Sequence, residues 1–283
     1  MSAAASLLAL HAAVVLFGFS GLFGKWIALS AVAIVVGRTL IAAVTLALVA
    51  TITRETRCHP SQALIVNGGI LALHWVAFFA AIKVSTVAIG LLGYASFPLF
   101  VLLLEFLQLG RRWRATDAIT AIAVTLGLVL LVPADSWHAA TALGLAWGVL
   151  SGLSFALLAV RNRSLRNAHP AIGLALWQNA FAAIWLLPVL AWQGADGTLS
   201  LEAVTLLLVL GIACTALAHT LFIASLVQLT AHTASVVAAL EPVYGIAFAV
   251  LLLDEIPGWR TIAGATLIVG ASIYASRTVS LRE

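Results

Sequence analysis

Two histidines, an arginine and a glutamate lie inside long apolar runs of this sequence. At the centre of a bilayer helix such a group costs at least about 2.5–3.5 kcal/mol, so each needs a partner, water or a role. His74 stands 24 residues before Pro98 in GILALHWVAFFAAIKVSTVAIGLLGYASFP (69–98), and His219 stands 23 residues before Pro242 in GIACTALAHTLFIASLVQLTAHTASVVAALEP (211–242). Lys83 and Gln228 each follow their histidine by nine residues. Both stretches read as two apolar segments around a short break. An imidazole titrates near pH 6.5 unperturbed (about), which suits a proton relay or a hydrogen bond to a polar substrate. The alternative is a neutral ring bonded to nearby backbone or to a Ser or Thr hydroxyl.

Arg38 can hold a substrate carboxylate bidentately, or it is a structural arginine, snorkelling or ion-paired. Glu241 directly precedes Pro242, where the first stretch has Phe97. The proline frees a carbonyl one turn earlier and permits a kink, and Pro98 does the same in the first stretch. A carboxyl at such a break can take a proton or pair with an amino group. It can equally cap freed backbone or meet Arg38. Aromatic residues surround these positions: Trp75 and Phe79 are four apart, as are His74 and Phe78, and Tyr94 and Tyr244 flank the prolines. Trp177 and Gln178 sit deep in a later apolar segment. An aromatic cavity with a few polar tips would suit an amino acid or a similar metabolite. Lipid-facing packing accounts for aromatics equally well. Trp26, Trp113, Trp137, Trp192 and Trp259 fall near segment ends, as an interfacial belt does.

The segments that must position these residues dominate the chain. Of 283 residues, 63% are hydrophobic and 8% charged, against about 25% charged in a soluble domain. Ten stretches approach the roughly 20 apolar residues that a spanning helix needs: 5–27, 32–53, 62–82, 85–107, 115–133, 139–160, 171–192, 202–227, 232–253 and 260–277. The runs are continuous rather than alternating, which selects helices over a barrel. The net charge of +4 is explained by position and not by nucleic acid. With a cytoplasmic N-terminus, the inner side holds Arg54, Arg57, Arg111, Arg112, Arg114, Arg161, Arg163, Arg166, Arg277 and Arg282, and the outer side Lys25, Lys83 and Arg260. That bias puts both termini inside. The first segment lacks a charged n-region and a cleavage site, so it reads as a spanning helix. Cys58 and Cys214 suggest neither disulfide nor metal site.

Residues 1–133 hold five segments and 134–283 five more. An odd number forces the second copy upside down. Charge agrees, because the turn after the fourth segment carries Arg111 and Arg112 and the turn after the ninth carries Asp254 and Glu255. Inverted repeats with a mid-membrane site between them are a plan of secondary transporters. The sequence predicts an all-α integral membrane protein of ten transmembrane helices in two inverted five-helix repeats.

With these features in place, the chain resembles the EamA branch of the drug/metabolite transporter superfamily. The resemblance rests on Phe17–Gly18 and Trp147–Gly148 in the first helix of each copy, and on Arg38 in the second. It rests further on Ser85–Thr86 and Thr230 at the breaks, on Pro98 and Pro242, and on Asp254–Glu255 ahead of Trp259–Arg260. Two departures stand out: Arg111 replaces a frequent Glu, and the first helix has no acidic residue, unlike the small multidrug members. The resemblance implies a bacterial inner-membrane exporter of small metabolites, amino acids foremost, working by alternating access. The deep aromatics favour aromatic or apolar amino acids. Walker, Rossmann and GxSxG motifs are absent and no His/Cys cluster has metal-ligand spacing. The chain is therefore expected to carry no cofactor, to bind no nucleic acid and not to be an enzyme. Uphill transport would need an ion, for which His74, His219 and Glu241 favour the proton. A carrier of other metabolites or drugs on the same fold is the nearest alternative. A lipid-modifying membrane enzyme is the alternative of another class, for which clustered Asp, His and Ser at one interface would be expected.

Overall fold

A computed structural model describes residues 1–54, 58–109, 115–131, 139–194, 199–253 and 258–280. Arg57, Arg111 to Arg114, Trp137, Asp254, Glu255 and Arg282, which carry part of the charge argument, lie outside the described residues.

The described chain is helical throughout: α1 (Ala3–Trp26), α2 (Ala31–Thr53), α3 (Gln62–Val84), α4 (Val87–Tyr94), α5 (Phe97–Leu109), α6 (Ala115–Leu131), α7 (Ala139–Leu165), α8 (Ala171–Gln193), α9 (Leu201–Gly211), a π-helical turn (Ile212–Leu217), α10 (Ala218–Ser225), α11 (Ala231–Ala238), α12 (Glu241–Leu253) and α13 (Trp259–Ser280). Counting α9–α10 and α11–α12 as continuous, seven helices among the described residues are long and apolar enough to cross a membrane, and 97–108, 115–127 and 262–271 are shorter apolar helices. Leu8, Leu48, Ile52, Trp192 and Leu251 stand exposed on the outside of the bundle, which lipid accounts for and water does not. The chain is a multi-pass membrane protein.

Local sequence explains where the helices begin and break. Ser2, Ser30, Ser61, Thr86, Ser200 and Thr230 each precede a helix and accept from the N–H three residues on, which satisfies a donor that the first turn leaves open. The apolar segment 85–107 is not one helix. It divides into eight-residue α4 and thirteen-residue α5, and the segment 232–253 divides likewise into eight-residue α11 and thirteen-residue α12. Pro98 and Pro242 are each the second residue of the longer piece. A proline cannot donate to the carbonyl four residues back, so each break falls just before it.

The segment 202–227 holds the larger surprise. Its middle is a π-helical turn, in which Thr215 Oγ1 donates to the Leu210 carbonyl five residues back at 2.6 Å.

Packing is reciprocal. α3 lies against α7 while α10 lies against α1, α4 and α5 lie against α7 while α11 and α12 lie against α1, α2 meets α8, and α6 meets α13. At one end of α3, Lys25 Nζ donates to the carbonyls of Ile82 (3.0 Å) and Ser85 (3.3 Å), and Lys83 Nζ donates to that of Ile27 (3.3 Å). Each lysine thus caps the other helix's carbonyl end, where positive charge is favoured. Arg54 follows the last residue of α2, and Arg161, Arg163 and Arg166 lie at the end of α7, the end at which Arg161 meets Asn67 near the start of α3.

Candidate functional site

Mid-bundle, α1, α3, α4, α7, α10 and α12 converge on a cavity of ≈ 20 Å³ lined by Phe17, Ser20, His74, Trp75, Phe78, Tyr94, Phe155, His219 and Glu241. The reciprocal packing brings these helices together, so His74 from midway along α3 and His219 from α10 face the same space. Its volume admits about one water, which occupies some 10–15 Å³ by the same measure. The aromatic side chains fill the rest. Phe155 stacks on His74 with centroids 4.7 Å apart and lies 4.9 Å from Phe97 and 5.1 Å from Phe222. Trp75 meets His219 edge-on at 5.8 Å.

Glu241 is 4% exposed. As the first residue of α12 it has its carboxyl at the helix's positive end, where a negative charge is favoured. The Tyr94 hydroxyl turns toward it. His74 and His219 are buried, each with one ring nitrogen engaged: His74 Nδ1 with the carbonyl and hydroxyl of Ser151, His219 Nδ1 with Asn179.

Arg38 lies one layer behind. Its Nε donates to Thr215 Oγ1 at 2.9 Å and Nη2 to the Cys214 carbonyl at 3.2 Å, while Cζ sits 4.0 Å above the Trp75 ring and 5.4 Å from that of Phe79. Its bonds therefore go to the π-helical turn and not to Glu241. Charge-assisted bonds and a cation–π contact offset the burial of the guanidinium. Nη1 has no hydrogen-bond partner among the described residues.

These are an imidazole pair and a carboxyl around a small aromatic chamber in the middle of the bundle, with a guanidinium one layer behind. The profile of the EamA-like transporter family matches residues 142–277. The pseudopaline exporter CntI of Pseudomonas aeruginosa is 30% identical over 220 residues, 76% of this chain and 75% of the relative. An uncharacterized transporter of Archaeoglobus fulgidus is 27% identical over 207 residues, 73% and 72% of the two chains. The chain belongs to the EamA-like transporter family. One crystal structure superposes over 100% of both chains with a TM-score of 0.82 at 16% identity, a likeness of fold alone. This EamA-like protein is thus a membrane transporter of a small-molecule substrate and not an enzyme.

Of the residues singled out in the EamA-like sequence, the structure brings His74, Trp75, Phe78, Tyr94, His219 and Glu241 to the cavity, with Arg38 and Phe79 behind Trp75. Pro98 and Pro242 are buried at the two helix breaks. Tyr244 packs on α1, its Cβ beside Gly18. Trp177 and Gln178 lie elsewhere. Trp177 Nε1 donates to the Cys58 carbonyl at 2.8 Å, where burial also pushes the Cys58 thiol up, away from a reactive thiolate.

Gln178 belongs to a buried amide cluster between the cavity and the arginine end. Gln178 and Asn162 exchange hydrogen bonds of 2.6 and 3.3 Å, Asn67 donates to Asn162 Oδ1 at 3.2 Å, and Arg161 Nε donates to Asn67 Oδ1 at 2.5 Å. The cluster ties α3, α7 and α8. Asn162→Leu removes its centre and leaves both neighbouring amides short of partners. A loss of about 1–3 kcal/mol is expected, read as a lower thermal midpoint in detergent. A midpoint equal to the parent's would show that the cluster carries no stability.

Ser20, Phe155, Asn179 and Thr215 also shape the site without having been singled out. Asn179 and Thr215 carried a signal, as polar groups inside apolar runs. Phe155 carried none, being one apolar aromatic among many.

Proposed function

We propose that this protein is a secondary transporter that exports small metabolites across the bacterial inner membrane, amino acids with aromatic or apolar side chains foremost. It does so by alternating access between two inverted five-helix halves, residues 1–133 and 134–283, with both termini cytoplasmic. The observation that carries this reading is the mid-depth cavity where Glu241 and two histidines meet among five aromatic rings. A carboxyl suits a substrate ammonium, the His219 N–H suits a carboxylate with the positive Arg38 one layer behind it, and the rings suit an apolar side chain. Equal lengths of the two broken helices and the reciprocal packing support the inverted halves. The arginine end is then the cytoplasmic one, as the positive-inside rule requires.

Ligand sites run to about 300–1,000 Å³, so a cavity of ≈ 20 Å³ must widen to take its cargo. Opening parts the halves at either end in turn. No nucleotide-binding motif accompanies the site, and protons are the coupling ion that Glu241 and the histidines would serve.

The test is uptake of a labelled amino-acid panel into proteoliposomes, with and without a proton gradient. Saturable flux of aromatic and apolar members is expected, with a response to the gradient. Glu241→Gln keeps the shape and removes the charge, so flux should fall about 10–100-fold, the worth of one charge-assisted contact. Unchanged flux in that variant would remove Glu241 from the mechanism. A second reading, that the cargo is pseudopaline itself, is favoured by the relative's name. Flux of pseudopaline with none of any amino acid would establish it.

A further inference from the structure

His74 and His219 occupy corresponding places in the two sequence stretches, yet their engaged nitrogens meet opposite kinds of atom. His74 Nδ1 lies 3.1 Å from the Ser151 carbonyl oxygen and 2.9 Å from Ser151 Oγ. A carbonyl oxygen only accepts and a hydroxyl oxygen can accept, so both contacts are satisfied together when Nδ1 carries the proton. In the neutral ring, Nε2 is then a bare acceptor.

His219 is the reverse. Its Nδ1 lies 3.3 Å from Asn179 Nδ2, and that same amide nitrogen donates to the Ala175 carbonyl at 2.8 Å. The second bond decides the first. Turning the amide over would set Oδ1 against the Ala175 oxygen, two acceptors facing each other. Asn179 therefore donates to His219 Nδ1, and in the neutral ring Nε2 holds the proton. His219 Nε2 is buried without a hydrogen-bond partner among the described residues, as is Arg38 Nη1. Both flank Trp75, which lines the cavity. Among the lining residues, His219 thus brings an N–H donor, and His74 Nε2 and Glu241 bring acceptors, with the Arg38 guanidinium one layer behind Trp75.

We propose that Asn179 is a positioning residue that holds His219 as the Nε2–H tautomer, while Ser151 holds His74 as the opposite one. The cavity thereby selects ligands that carry a carboxylate as well as an amino group, and discriminates against the corresponding amines. The ligand class rests on the transport reading above. The tautomers do not.

The experiment has two arms, so that failure of one reading is distinct from failure of the other. In the first, the full chain with ring-15N-labelled histidine is placed in lipid bilayers for solid-state NMR. Signals are assigned by difference against His219→Gln and His74→Gln, with the Asn variants as substitutes if either misfolds. The expected result is Nε2–H for His219, Nδ1–H for His74, and a tautomer mixture at His219 in Asn179→Leu. The same tautomer at both histidines, or an unchanged His219 spectrum in Asn179→Leu, overturns the proposal. In the second arm, transport of phenylalanine is compared with that of phenethylamine. Asn179→Leu should reduce the preference for phenylalanine about tenfold through KM with kcat little changed, the worth of one hydrogen bond to a charged group. His219→Gln, which keeps an N–H donor, should retain most of the preference. A wild type that prefers the amine, or that moves neither compound, overturns the ligand class while the spectra still judge the tautomers.

Discussion

Arg38→Ala should lower the thermal midpoint of the detergent-solubilised protein by roughly 5–10 °C, at about 2–4 °C per kcal/mol. Two hydrogen bonds from a charged donor contribute about 1.5–3 kcal/mol each, and the cation–π contact with Trp75 adds about 1–2 kcal/mol. Part of this is offset because a buried charge disappears, so a net loss of roughly 2–4 kcal/mol remains. Arg38→Lys should recover little. A lysine places one ammonium where the guanidinium reaches Thr215 Oγ1 and the Cys214 carbonyl at once, and it lacks the planar face that lies over Trp75.

The functional loss should exceed the loss of stability. A π-helical turn holds one extra residue, and its relaxation to α-helix turns everything beyond it by about 100°. His219 lies two residues beyond the turn and would leave the cavity. Combining Arg38→Ala with Thr215→Val isolates the Nε–Oγ1 bond by its non-additivity. Strict additivity, or a midpoint for Arg38→Ala equal to the parent's, would show that the turn stands without its arginine.

How far the sequence foretold this arrangement depended on whether the cause of each feature was local. Helix starts are legible because a Ser or Thr cap acts on a neighbour three residues away. The breaks before Pro98 and Pro242 are legible because proline acts on its own helix. His74, His219 and Glu241 drew attention because an ionisable group in an apolar run is costly wherever the chain goes. The π-helical turn has neither Gly nor Pro within Ile212–Leu217, and its partner Arg38 is more than a hundred residues away, so nothing in the local pattern marks it.

Gln178 and Trp177 show the opposite limit. Both were noticed as polar or amphipathic groups at depth, but their partners are Asn162 and the Cys58 carbonyl. Periodicity says which face a residue takes, and not whether that face meets a cavity or another helix. Asn67 and Asn162 were open to the same reasoning as the histidines. An amide inside an apolar run seeks another amide, and pairing the amides first would have drawn Gln178 away from the cavity.

Gly148→Ala should destabilise the protein by about 1–3 kcal/mol, the usual range for overpacking, and Gly148→Leu should prevent accumulation of folded protein. A Cβ at Gly148 would lie 2.7 Å from the Gly90 carbonyl oxygen, 2.8 Å from Gly93 Cα and 3.1 Å from Tyr94 N. All three are backbone atoms of α4, which cannot swing aside as the tip of a side chain can. The only relief is to part α4 from α7, and those helices carry Tyr94, Ser151 and Phe155 of the site. Strain at Gly148 therefore reaches the cavity directly, whereas a typical surface change stays within about ±0.5 kcal/mol. Gly270 in α13 provides the control, since a Cβ there meets nothing within 4 Å. Gly270→Ala should be neutral or stabilising by about 0.5–1 kcal/mol, because alanine restricts the unfolded chain and favours helix. Thermal midpoints that fall for Gly148→Ala and hold or rise for Gly270→Ala would tie the effect to the contact of α4 with α7. A parental midpoint for Gly148→Ala would mean that the two helices have slack at their crossing, and that this crossing does not hold the walls of the chamber in place.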